Sequence, residues 1–253
     1  MTGSKEISLV LNNFSKNFIA GFFMGIAEIT PGISGATIAG IFNVYRDFVK
    51  VLTAFNESIF FDFQSFLRKL NFMFLGPLLI GMALAIYSSA FFITYLIENN
   101  LTLFKIFLSI VMLFAVIKNC FFDQELSESI SYLKSFCVGA LIAVAIAISV
   151  FNFNFNFALL IILAGFLAFS AFILPGISGS LVLVLLGVYD EIILQIKKLD
   201  LVSLAPFLFG MLIAFLIVPK VIDKNFDLNQ MKTRVFFSGL IFGSLPAVWL
   251  HLV

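Results

Sequence analysis

The sequence predicts an all-α polytopic membrane protein built as an inverted repeat of two halves. Each half carries a re-entrant-like helical hairpin, broken at Pro-Gly-Ile-Ser-Gly, and spanning helices. Three observations lead there. Of 253 residues, 62% are hydrophobic and 11% charged, with 35 Phe and a mean hydropathy of +1.14; a soluble domain of this length cannot cover that much apolar surface. The pentapeptide Pro-Gly-Ile-Ser-Gly occurs at Pro31–Gly35 and again at Pro175–Gly179. The match runs on through Val44-Tyr45 and Val188-Tyr189 to a carboxylate two residues after each tyrosine, Asp47 and Glu191, all at one offset of 144. Finally, apolar stretches of spanning length separate the two copies.

The elements follow in order. Lys5, Glu6 and Lys16 precede a first apolar run without a small-residue cleavage site, which reads as a membrane element rather than a signal peptide. Asn17 to Thr30 is about half a bilayer long at roughly 1.5 Å per residue. Ala36 to Leu52 follows the break and is similarly short, so the two make the first hairpin. Asn71 to Ile97 contains no charge and is long enough to span with tilt, and Leu101 to Ile117 is interrupted only by Lys105, placed to snorkel. A linking span covers 135–151. Phe157 to Leu174 and Ser180 to Ile196 form the second hairpin, and Leu204 to Ile222 and Val235 to Val253 close the chain. Pro77-Leu-Leu-Ile-Gly81-Met82 resembles Pro206-Phe-Leu-Phe-Gly210-Met211 at an offset of 129. The chain thus reads as a single membrane domain over 1–253, with repeat 1 at about 14–117 and repeat 2 at about 157–253.

A hairpin returns to the face it left, and three single spans lie between the hairpins, so the second hairpin enters from the opposite face. That is the inverted arrangement of many secondary transporters. The basic residues agree. The face of the N-terminus collects Lys5, Lys16, Arg46, Lys50, Arg68, Lys69, Lys118, Lys134, Lys220, Lys224, Lys232 and Arg234, against Lys105, Lys197 and Lys198 on the other. The positive-inside rule makes the first face cytoplasmic and the C-terminus extracytoplasmic.

Pro and Gly at membrane depth free backbone groups that lipid cannot solvate, so the break belongs inside protein or beside a polar cavity. Converging amides at such a turn suit an anion, phosphate above all. The candidate substrate-binding residues are therefore Pro31, Gly32, Ser34, Gly35 and Thr37 of the first copy, with Thr30 beside them, and Pro175, Gly176, Ser178 and Gly179 of the second. The plainer reading is a tight turn with a serine cap. Arg46, whose planar fork matches phosphate oxygens, joins the candidates, or marks an interfacial Arg-Asp pair. Glu28, an ionisable residue inside an apolar arm, is the candidate coupling group; it holds a proton, pairs with Arg46, or is satisfied by backbone amides. Its strict equivalent in the second half is Phe172, so the halves differ. Tyr45 and Tyr189 serve equally as interfacial anchors. No metal site and no cofactor are expected: Cys120 and Cys137 are isolated, and His251 is the one histidine.

Glu28-Ile-Thr-Pro-Gly-Ile-Ser-Gly-Ala-Thr-Ile-Ala with Val44-Tyr45, and Leu174-Pro-Gly-Ile-Ser-Gly-Ser with Val188-Tyr189, resemble the PopT-type polyprenyl-phosphate transporter family over essentially the whole chain. Ala36 departs from it, standing where a second glycine is expected. The resemblance implies a flippase that moves undecaprenyl phosphate across the bacterial cytoplasmic membrane, recycling the lipid carrier for envelope synthesis by alternating access, and not an enzyme. Its partners would be that lipid phosphate, membrane lipids, and a proton or sodium ion for coupling. The alternative is a secondary transporter or channel for a small anion or other solute. An intramembrane lipid phosphatase lacks a nucleophile–base pair or metal ligands in the sequence.

Overall fold

The computed structural model describes residues 2–30, 32–55, 63–122, 131–148 and 157–251. Pro31, the end of the predicted linking span (149–151) and residues 152–156 of the connector lie outside them. Among the described residues every regular element is helical. Four helices there are long and apolar enough to cross a membrane, Phe72–Ser89, Phe91–Cys120, Leu201–Leu228 and Gln230–His251, and one bent pair would make a fifth. The chain is a multi-pass membrane protein. Its large exposed side chains, such as Tyr87, Phe91 and Val202, suit a hydrocarbon surrounding.

α1 covers Thr2–Ile29, so the predicted apolar arm is the second part of a longer helix that also takes in Lys5, Glu6 and Lys16. It stops at the Pro-Gly break. α2 (Gly35–Ile41) starts behind Ser34, whose hydroxyl accepts from the Ala36 N–H and so satisfies one of the first-turn donors. α2 folds back against α1, closing the first hairpin. The return arm is not the single helix expected. It turns at Asn43, which takes a left-handed conformation (φ 56°), and continues as α3 (Tyr45–Thr53). Left-handed termination is the usual way to end a helix while giving its last carbonyls partners, here Val44 N–H to Ala39 O.

α4 (Phe63–Leu70) leads into α5 (Phe72–Ile117), which breaks from helical angles at Asn100 (φ −142°, ψ 43°) and ends in a π-helical turn, Lys118–Phe122. α6 (Leu133–Ile148) is the linking span. α7 (Phe157–Ile173), α8 (Gly179–Leu185) and α9 (Tyr189–Lys198) repeat the first hairpin, α8 and α9 meeting at 116°. α10 (Leu201–Leu228) is capped by Asp200, which accepts from Ser203 N–H. α11 (Gln230–Gly243) and α12 (Leu245–His251) complete the chain.

The offset of 144 holds in backbone conformation as well as in sequence. Gly32 and Gly176 have φ of 93° and 91°, and Asn43 and Gly187 have 56° and 69°. Ser34 (−107°, 142°) and Ser178 (−94°, 131°) match, as do Val44 (−113°, −3°) and Val188 (−114°, 0°). The offset of 129 holds in packing. A methyl group on Gly21 would strike the Leu78 carbonyl, and one on Gly165 the Phe207 carbonyl; Gly81 meets Phe18 as Gly210 meets Ile162. Backbones in contact at paired glycines give α1–α5 and α7–α10 the same close packing. Asn100 and Asn229, also 129 apart, are the two non-helical points after these pairs. The core centres on Met24, Leu78, Met112, Ile173, Leu240 and Ile241, so α1, α5, α7 and α11 all reach it.

Candidate functional site

α7 ends at Ile173, and the last carbonyls of a helix lack partners of their own. The first copy supplies them from across the molecule. Tyr45 Oη donates to the Ile173 carbonyl at 3.0 Å, and Ser34 Oγ to the Phe172 carbonyl at 3.5 Å. In the other sense, the Gly176 N–H donates to Thr37 Oγ1 at 2.9 Å. The second pentapeptide is thus docked onto the helix that follows the first. Tyr45 is a buried strut, not an interfacial anchor: it is 5% exposed and its ring packs on Phe226 and Phe237.

Glu28 reaches forward across the break, and its Oε1 accepts from the Gly35 N–H at 2.8 Å. It is the carboxylate satisfied by a backbone amide, and it does not pair with Arg46. The amides that the sequence offers to an anion are largely occupied: Gly35 by Glu28, Ala36 by Ser34, Gly176 by Thr37. Burial explains this, since an unmet donor here would cost about 1–3 kcal/mol. The second copy is built differently. Ser178 makes no cap and shares a hydrogen bond with Ser180 (2.8 Å), and Gly179 packs against the Ala168 carbonyl.

Beside the docked copies lies a small cleft. α2 and α3 contribute Thr37, Gly40, Tyr45 and Arg46 with Asn43 between them, the second copy contributes Pro175, and α11 contributes Arg234. Asn119 comes from the π-helical turn. Arg46 extends over the Phe226 ring (5.9 Å), pairs with Asp227 at 2.5 Å and donates to Gln230 at 3.4 Å. Its Nε is buried and meets no acceptor among the described residues. Two guanidiniums, two amide side chains and two hydroxyls border one cavity, alongside Phe226, Phe237 and Ile241; guanidiniums are groups that pair well with oxyanions.

Of the predicted residues, Thr37, Arg46 and Pro175 line this cleft, and Gly176 stands directly behind Thr37. Ser34, Gly35 and Glu28 brace the hairpin. Gly32 borders a separate recess with Ser180, Tyr189 and His251, whose ring nitrogen lies 2.7 Å from the Ala147 carbonyl. Arg234 and Asn119 were not among the expected site residues. A signal for Arg234 existed: it lies 129 residues after Lys105, so each half places one cation inside its corresponding span. Lys105 itself meets the Trp249 carbonyl at 3.4 Å rather than snorkelling freely.

The profile of a family described as Undecaprenyl phosphate translocase-like (VCA0040-like) matches residues 24–252. Two relatives are named Polyprenyl-phosphate transporter. One, from Vibrio cholerae serotype O1, is 27% identical over 243 residues, covering 94% of this chain and 78% of its own length. The other, from Staphylococcus aureus, is 30% identical over 249 residues, covering 92% and 85%. No solved structure matches the chain.

Proposed function

The chain belongs to the Undecaprenyl phosphate translocase-like family, and from that premise we propose that it carries a polyprenyl phosphate between the leaflets of the bacterial cytoplasmic membrane. The phosphate binds in the cleft between Arg46 and Arg234, with Thr37 and Asn119 as further polar partners and Ser34, Gly35, Pro175, Gly176, Ser178 and Gly179 as the frame behind it. The observation that carries this reading is that Arg46 and Arg234 line one cleft, with the Arg46 Nε buried and without an acceptor among the described residues. A buried cationic donor of that kind calls for an anion.

The inverted arrangement is part of the proposal, and helix directions support it. Gly21 faces Leu78 and Gly25 faces Met82, so α1 runs with the first part of α5. Residues from Ser89 to Leu96 and from Phe104 to Phe114 line one groove on either side of the non-helical Asn100, which fits a reversal of α5 there. Ser109 meets Trp249 and Cys120 meets Ser238, which sets α11 and α12 against the second part of α5. Thr233 bonds back to Asn225 across the α10–α11 turn, and α10 packs on α7 through Gly165 and Gly210. On the inverted reading α7 runs opposite to α1. Alternating access through two opposed hairpins follows from such a scaffold, with the N-terminus cytoplasmic by its basic residues. Glu28 is the coupling group for a proton or sodium ion.

The test is transport of labelled undecaprenyl phosphate in proteoliposomes by wild type, Arg46→Ala and Arg234→Ala. Both variants should lose most of the transport. Unchanged transport in both would remove the cleft from the pathway. Excess inorganic phosphate should compete weakly; full competition would favour a small-anion carrier.

A further inference from the structure

Two lateral grooves flank the cleft, and the internal repeat relates them. The first lies between α1, α2 and the two arms of α5; the second lies between α6, α10 and α11. Phe92, Ile93, Leu96, Phe107 and Leu108 of the first stand 129 residues before Val221, Ile222, Asn225, Phe236 and Phe237 of the second. Thr30 and Leu174, the residues immediately before the two pentapeptides, correspond at 144. Shared spacing at two independent offsets makes these one structural device built twice.

Each groove adjoins the cleft through a single thin wall. Phe237 borders both the second groove and the cleft. On the other side α2 is the partition: Thr37 and Gly40 face the cleft, while Ile38 and Ile41 face the first groove. The grooves differ at their rims. Exposed Lys134 and Lys232 border the second, and neither has an ion pair among the described residues. The described residues of the first include no charge, and its hydroxyls, Thr30 and Ser89, donate to the Ile26 and Ala85 carbonyls of their own helices.

We propose that both grooves hold the prenyl chain of the transported lipid, one at each end of its passage, while the phosphate occupies the cleft between them. This rests on the function proposed above. The charge pattern fits a single-tailed phosphate lipid: the two lysines attract the anionic head at the second groove's mouth, and an uncharged first groove offers the chain nothing to hold but hydrocarbon. A bilayer diacyl lipid would fit either groove alone. The common walls with the arginine cleft tie both grooves to one cargo. On the inverted reading they open to opposite leaflets, so the chain stays in apolar surroundings as the head crosses.

The experiment places a benzophenone amino acid at Phe92 or Val221, equivalent rim positions that are 60% and 53% exposed, with Phe91 and Leu212 as controls outside both grooves. The full chain is reconstituted in phosphatidylcholine–phosphatidylglycerol vesicles with labelled undecaprenyl phosphate and irradiated. Labelling at both groove positions should exceed the controls by about tenfold, a preference of roughly 1.4 kcal/mol. Unlabelled undecaprenyl phosphate should compete, and added phosphatidylglycerol should not. Control-level labelling, or equal competition by phosphatidylglycerol, would make the grooves ordinary lipid contacts and overturn the proposal. Arg46→Ala transport, measured alongside, separates the two claims. Lost transport with unspecific labelling leaves the cleft and removes the grooves; specific labelling with normal Arg46→Ala transport does the reverse.

Discussion

The Thr37 hydroxyl accepts the Gly176 N–H at 2.9 Å across 139 residues of sequence, joining the helix behind the first pentapeptide to the second pentapeptide itself. Thr37 is fully buried, and Gly176 cannot be replaced without strain because its φ is 91° and a side chain there would strike Ile241. The pair holds the cleft's wall in place while Thr37 also faces the cavity.

Thr37→Val keeps the shape and removes the acceptor. The orphaned Gly176 N–H should destabilise the protein by about 1–3 kcal/mol, read as a lower unfolding temperature in detergent. Thr37→Ser should restore most of it. Equal stability of Val and Ser variants would mean that the hydrogen bond contributes little.

Arg46 is held by Asp227, which is 64% exposed on its own side chain. A phosphate in the cleft competes with that carboxylate for the same guanidinium. Asp227→Asn should therefore tighten undecaprenyl-phosphate binding, and Arg46→Ala should weaken it by about 10–100-fold, the scale of a charge-assisted hydrogen bond of roughly 1.5–3 kcal/mol. Binding titrations on purified protein check both signs. Arg46→Lys should recover only part, since a lysine has no planar fork.

Glu28→Gln retains an oxygen that can accept the Gly35 N–H, so the hairpin should survive and the unfolding temperature should change little. If Glu28 couples transport to an ion, that variant loses the response to an imposed proton or sodium gradient while still binding lipid phosphate. Glu28→Ala removes the acceptor as well and should lower stability. A Glu28→Gln protein that still responds to the gradient would take coupling away from this residue.

Gly210→Ala would push a methyl group into the Ile162 carbonyl, and Gly81→Ala does the same at Phe18. Overpacking of this kind costs about 1–3 kcal/mol, so both should unfold at lower temperature. Gly76→Ala, with open space around it, is the control and should be neutral or slightly stabilising. A control that falls as far as the other two would locate the defect in the helix rather than the contact.

The all-helical class and the apolar spans were legible because composition and hydropathy act within short windows. The bend at Asn43 was written less plainly. Gly187 marks it openly in the second half, and asparagine, which tolerates left-handed angles, stands in for it in the first. The cleft was half legible. Arg46 and Thr37 lie close to the motif, whereas Arg234 arrives from a helix 188 residues away, and only tertiary packing brings it there. The amide-lined anion turn read from Pro-Gly-Ile-Ser-Gly met a competing demand. Buried donors find the nearest acceptors, and Glu28, Ser34 and Thr37 are nearer than any cargo.

The paired glycine contacts have a mechanical consequence. Where Gly21 and Gly81 lock α1 to α5, and Gly165 and Gly210 lock α7 to α10, backbone touches backbone and neither pair has slack to slide. A rearrangement would therefore have to be taken up away from these contacts, and the breaks at Asn43 and Gly187 are two turns where backbone angles already depart from helix. They are not equally soft: glycine crosses between left- and right-handed angles freely, while asparagine pays for its Cβ. The stiffer turn precedes the helix that carries Arg46, and the softer one precedes a helix that carries none of the cleft's cations.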